Sequence, residues 1–135
     1  MNPIEFINPV SLRVPTKAYS NGILVHLGAV DMMFVTGQLS QDADGNVLFP
    51  NDAEGQAKQI FSRIAAILEE GGMSLDNVVK AQIFVTKIAD APIVSKVRND
   101  VFTVSRPVST LLEVGAMVKD GCCVEIEVIA VRAQS

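Results

Sequence analysis

Few side chains within the apolar stretches of this sequence have the chemistry to do more than fill space, and a pair that does is Glu125 and Glu127, inside the apolar run VEIEVIAV of residues 124–131. Strand side chains alternate between faces, so Val124, Ile126, Val128 and Ala130 share one apolar face, and the two glutamates share the other with Ile129 and Val131. Two carboxylates on an otherwise apolar face are costly to bury unpaired. They mark a solvated edge, a set of partners or a lined pocket. Alternating Glu on a half-exposed strand is ordinary, and the sequence alone favours solvation. The one histidine, His26, has no second His and no Cys in metal-binding spacing near it, so it reads as a strand-surface residue. Cys122 and Cys123 are adjacent, which fits neither the usual structural disulfide nor a CxxC pair, and they read as small buried apolar groups. There is no phosphate-cradling glycine loop, no GxSxG and no metal-ligand cluster.

The elements that must position these groups follow from periodicity. The stretch 109–131 reads as two long apolar strands joined by a Lys119-Asp120-Gly121 turn, on which the rest of the chain converges. Before it, residues 1–16 form an irregular arm with Pro3, Pro9 and Pro15, able to add a short strand at most. Alternating Tyr19, Ile23, Val25 and Leu27 predict a strand over 18–27. Residues 32–36 predict a second, which Gly37 ends, and the two make a hairpin about Gly28 to Asp31. Residues 42–46 are a loop. Asn51 with Glu54 has capping spacing, and Ala53, Ala57, Ile60, Phe61, Ile64, Ile67 and Leu68 form one helical stripe that Gly71-Gly72 stops. A strand follows over 78–85, then a second helix from Asp90 to about Phe102, with Pro92 in its first turn and Arg106-Pro107 closing it.

This order predicts an α+β domain over 1–135, one sheet with two helices on one face. The other face is left for subunit association to hide. With 49% hydrophobic residues and 135 residues in all, such a chain buries about two-thirds of its unfolded surface and needs no disulfide or metal to fold. A net charge of −4 with 11 scattered Lys and Arg argues against nucleic acid as a partner. No run approaches a membrane span and the first residues lack a signal-peptide pattern, so a cytoplasmic location is expected.

The segments VTGQLS (35–40), GGMSLDNVVKAQIFV (71–85) and EVGAMVKDGCCVEIEVIAV (113–131) resemble the Rid/YjgF family, whose well-studied members are small imine and enamine deaminases. The resemblance implies a chorismate-mutase-like fold and a homotrimer whose sheets form a central barrel. It also implies three intersubunit clefts that bind small carboxylates without cofactor or metal. Residue by residue, Tyr19 matches the family's cleft tyrosine, Gly37 a glycine whose backbone faces the ligand, and Glu125 the acid that positions water. Thr36 stands where the family has Ser. Ser109 falls where the deaminases carry the arginine that grips the substrate carboxylate, Leu111 replaces a cleft cysteine, and Ser95 stands where Asn is common. Arg106 either leans into the cleft to restore the charge or caps the preceding helix.

Two expectations follow. In one, the chain hydrolyses a C=N or related C–N bond, with Glu125 as base and Thr36, Ser109 and backbone N–H groups orienting a substrate less anionic than the family's usual imines. Hydrolysis of 2-aminoacrylate-type imines is then very weak. In the other, the cleft is a catalytically silent small-molecule site on a trimeric scaffold, put to regulatory or chaperone-like use.

Overall fold

A computed structural model describes residues 2–134. Six strands and two helices follow in the order β1 (Ile4–Ile7), β2 (Gly22–His26), β3 (Val30–Gln38), α1 (Ala53–Glu70), β4 (Val78–Val85), α2 (Ala91–Val101), β5 (Val108–Glu113) and β6 (Val124–Ala133). They make one sheet of order β1-β2-β3-β6-β4-β5. All neighbours are antiparallel except β4 and β5, whose parallel pairing uses α2 as the crossover. This is the α+β layout expected.

Both helices cover one face. Every residue of the stripe from Ala53 to Leu68 is buried, against Met33 and Val35 of β3, Ala81, Ile83 and Val85 of β4, and Val124, Ile126, Val128 and Ala130 of β6. Phe61 of α1 meets Phe102 edge-on at 5.3 Å between ring centres, locking the two helices together. The opposite face is open. Phe6, Ile23, Phe34 and Ile129 are directly opposite one another across four strands, and Phe6 is 73% exposed.

Several sequence expectations need correction. The last two strands are not paired with each other: the Lys119-Asp120-Gly121 turn forms, with Cys122 N–H donating to the Lys119 carbonyl, but β4 lies between β5 and β6. β5 stops at Glu113, whose carboxylate accepts the Ile88 N–H instead of continuing the strand. The cap of α1 is Asp52, which accepts the Gly55 N–H at 3.0 Å. Asn51 takes a left-handed φ of 60°, and Glu54 pairs with Lys58 one turn on instead of reaching back. Asp90 occupies the cap position of α2 without a side-chain hydrogen bond. β2 begins at Gly22, later than the alternation from Tyr19 implied, and β3 runs through Gly37 to Gln38.

Candidate functional site

The site begins where β3 loses register with β6. Val35 faces Val128 and Gln38 faces Ile126, so three steps along β3 answer two along β6 and one extra residue is taken up at Thr36-Gly37. A bulge of this kind bends the strand and re-aims its side chains. From β6, Glu125 lays its carboxylate against the bulge. A Cβ built on Gly37 would stand 2.5 Å from Oε2 and 3.0 Å from Cδ of Glu125, so only glycine leaves that carboxylate its place. Thr36 ties the bulge to the segment before β2: its hydroxyl donates to the Ser20 carbonyl at 2.8 Å and its N–H to the Asn21 carbonyl at 2.9 Å. That segment carries Tyr19, whose side chain is exposed. Tyr19, Thr36, Gly37 and Glu125 thereby line one cleft of about 490 Å³.

Glu125 is half-buried and, among the described residues, makes no salt bridge. Burial raises its pKa above the ordinary carboxylate value, and Glu127 on the same strand face raises it further. Both effects make the carboxylate a stronger base than an exposed glutamate, which suits it to accept a proton.

A second hollow, of about 650 Å³, lies on the helix side of β5 and includes Arg98, Arg106 and Ser109. Ser109 Oγ accepts from Arg98 Nη1 at 3.2 Å, while Arg98 Nε and Nη2 donate to Asn99 Oδ1. Arg106 has φ 45° and its backbone N–H donates to the Phe102 carbonyl, in the turn just beyond α2. Its side chain lines this hollow and not the Glu125 cleft. Ser95 lies on α2 and lines neither, and Leu111 packs against the edge of the core. Register explains the separation within one subunit. Ser109 is opposite Ala81 and faces the helices, whereas Glu125 is opposite Phe84 and faces away, with β4 between them. Among the described residues no group of three His, Cys, Asp or Glu is placed to hold a metal ion, and no helix is long and apolar enough to cross a membrane.

A family model described as Endoribonuclease L-PSP matches residues 11–132. The chain belongs to the Rid/YjgF family. Within the family it is 35% identical over 114 residues to the 2-iminobutanoate/2-iminopropanoate deaminase of Bos taurus, covering 84% of this chain and 80% of that protein. The Rid-family protein YyfA from Yersinia pestis superposes with a TM-score of 0.83 at 31% identity, over 94% of this chain and 98% of the other. The E. coli protein TdcF, solved with bound serine, superposes with a TM-score of 0.80 at 26% identity, over 96% and 99%.

Sequence reasoning passed over the cations of the cleft. Arg13, Lys17, Arg63 and Lys119 all line it, against the single carboxylate of Glu125. Arg63 is only 4% exposed. Its Nε donates to Gln38 Oε1 at 3.2 Å and its Nη1 to the Gln41 carbonyl at 2.8 Å. Gln38 in turn donates to the Thr36 carbonyl, joining the guanidinium to the bulge. Lys119 Nζ donates to Gln41 Oε1 and to the Gly45 carbonyl. A signal was present: Arg63 stands three residues after Ile60 and four before Ile67, inside the apolar stripe of α1, where an arginine is out of place.

Proposed function

We propose that this Rid-family protein hydrolyses a C=N bond of a small molecule in the Glu125 cleft, as the name of its bovine relative describes for that protein, with specificity altered because Ser109 does not supply the arginine of the deaminases. The observation that carries the reading is the Glu125 carboxylate, held against Gly37 at a bulge, raised in pKa and in no salt bridge among the described residues.

Glu125 holds a water by its proton and aims the oxygen at the imine carbon. The substrate reacts as the protonated imine: as the C–O bond forms, the π pair of C=N moves to the nitrogen, and Glu125 takes one proton of the water, leaving a neutral carbinolamine. Glu125 then returns that proton to the nitrogen; the C–N bond breaks, and the hydroxyl becomes the carbonyl as its proton passes to the departing ammonia. The balance is protonated imine plus water to ketone plus ammonium, with no oxidant or reductant. The net charge of −4 keeps the reading on small molecules despite the family model's description.

We further propose that the open apolar face carrying Phe6, Phe34 and Ile129 is buried in a homotrimer, whose clefts lie between subunits. Contiguous apolar area of this kind on a monomer marks an interface. Light scattering should give about three times the 14.5 kDa of one chain; a stable monomer at micromolar concentration sinks the assembly. For the chemistry the test is Glu125→Gln, which keeps size and hydrogen bonding but removes the base. Turnover of 2-iminobutanoate should fall by roughly 10²–10⁴-fold with little change in melting point. An unchanged rate removes Glu125 from the mechanism, and the absence of turnover in the wild type favours a silent binding protein.

A further inference from the structure

We propose that Arg63, with Lys119 beside it on Gln41, is the anion anchor of the Glu125 cleft, and that it takes the carboxylate of a small α-imino or α-keto acid. This rests on the reading of that cleft as the substrate site and names the residue that holds the substrate's charge there.

Arg63 is 96% removed from solvent by its 4% exposure, yet among the described residues it makes no salt bridge. An arginine is almost never buried to this degree without an anionic partner, because the loss of hydration exceeds what neutral acceptors return. Its two hydrogen bonds, to the Gln38 side chain and the Gln41 carbonyl, orient the guanidinium through neutral acceptors, and Asp42 acts on it only from beyond pairing distance. Among the described residues Nη2 donates to nothing, and Arg63 lines the cleft. Lys119 repeats the pattern, held by Gln41 Oε1 and the Gly45 carbonyl, both neutral. Arg13 reaches only the Asp44 carbonyl. The titratable groups facing the space are thus Arg13, Lys17, Tyr19, Arg63, Lys119 and Glu125, with Asp42 near enough to act on Arg63 without pairing. Such a cavity lacks one small anion, and a guanidinium fork matches a carboxylate.

The competing anchor is weaker. Within one subunit Arg98 and Arg106 surround Ser109 in an open hollow apart from the Glu125 cleft, and Arg98 is already occupied by Ser109 and Asn99 whichever subunit the hollow faces. A solvated cation there needs no ligand to be stable. The absence of arginine at position 109 accordingly alters specificity by moving the carboxylate to another wall of the site, and the expectation of a less anionic substrate is replaced by one of an anionic substrate held differently.

The test is calorimetric titration of the assembled protein with pyruvate and 2-oxobutanoate, the keto acids that hydrolysis of the corresponding imines would release, with methyl pyruvate as the uncharged probe. Arg63→Gln should weaken pyruvate by about 10- to 100-fold, the scale of a lost charge-assisted pair, while Arg63→Lys recovers part of it and methyl pyruvate responds equally to wild type and variant. Pyruvate affinity unchanged in Arg63→Gln, or lost in an Arg98→Ala/Arg106→Ala variant with Arg63 intact, overturns the proposal. Tighter binding of inorganic phosphate than of pyruvate overturns the assignment of a carboxylate. If Arg63→Gln does not fold, Lys119→Gln decides: pyruvate should weaken several-fold, and equal affinity rejects the anchor. Failure of the hydrolase reading looks different: the wild type would then bind pyruvate through Arg63 yet turn over no imine.

Discussion

Replacing Gly37 by alanine asks whether the contact between the β3 bulge and Glu125 matters to chemistry. The added Cβ would stand 2.5 Å from Glu125 Oε2, and ordinary contact begins at 3.4 Å, so the carboxylate oxygen must retreat by about 0.9 Å. The backbone does not object, because Gly37 is not among the glycines with positive φ. The nearest atom is the far end of a side chain, which can turn away. Alanine at a compatible backbone site also reduces the freedom of the unfolded chain, so stability should change by no more than about 1 kcal/mol. Catalysis is less forgiving: misplacing a reacting group by about 1 Å costs roughly 10²-fold. The assay is hydrolysis of 2-iminobutanoate, released in the cuvette from 2-aminobutanoate by an amino-acid oxidase, run beside a thermal melt. Gly37→Ala should melt near wild type and turn over about 10²-fold slower. In a double variant with Glu125→Gln the alanine should cost almost nothing more, since both changes act through one carboxylate. A wild-type rate in Gly37→Ala, or a full multiplicative loss in the double variant, would refute the coupling of bulge to base.

Two further outcomes concern protons. Because Glu125 must be ionised to accept a proton and its pKa lies above the ordinary 4.5, first through burial and then through Glu127, kcat/KM should rise with pH through a midpoint above 4.5. Glu127→Gln should move that limb to lower pH without bringing it fully back, burial being the larger cause; an unmoved limb means another group titrates. At the far side of the sheet, His26 is held between Glu5 and Asp31, at 2.7 Å from the latter. Both partners only accept when ionised, so the pair favours the imidazolium form, in which both ring nitrogens donate. Its pKa is raised above 6.5, by Glu5 first and Asp31 second, so its contribution to stability is complete below that value and is lost as pH rises through the raised one. The melting point of wild type relative to His26→Gln should therefore fall between pH about 6 and 9, and parallel curves would dismiss the pairing.

The helices and β4 were legible because their signals are local. The three- and four-residue recurrence from Ala53 to Leu68 needs no partner to be read, and β4 occupies the 78–85 span its apolar run implied. Partner choice is not local: nothing in residues 109–131 says that β6 prefers β3 and β4 to its neighbour in sequence. The site divides the same way. The shared face of Glu125 and Glu127 follows from strand parity, but the Thr36-Gly37 bulge exists only relative to β6, and a register shift is invisible in one strand alone. His26 looked solitary because Glu5 and Asp31 come to it across β1 and β3. Arg63 was readable in principle, and a search for catalytic side chains overlooked a cation in an apolar stripe.

The placement of β6 has a consequence for how the molecule is made. It is the last strand in chain order, yet it occupies the middle of the sheet and is the only link by strand pairing between β1-β2-β3 on one side and β4-β5 on the other. A nascent chain holding every earlier element has two sheet fragments with no hydrogen-bonded contact between them and a helical layer with half its floor missing. Folding must then wait for residues 124–133 and proceed through contacts between strands far apart in sequence, which is slow and exposes apolar edges meanwhile. The strand that delivers Glu125 to the cleft is thus also the one that closes the sheet, so a chain cut short before it lacks the site and the fold together.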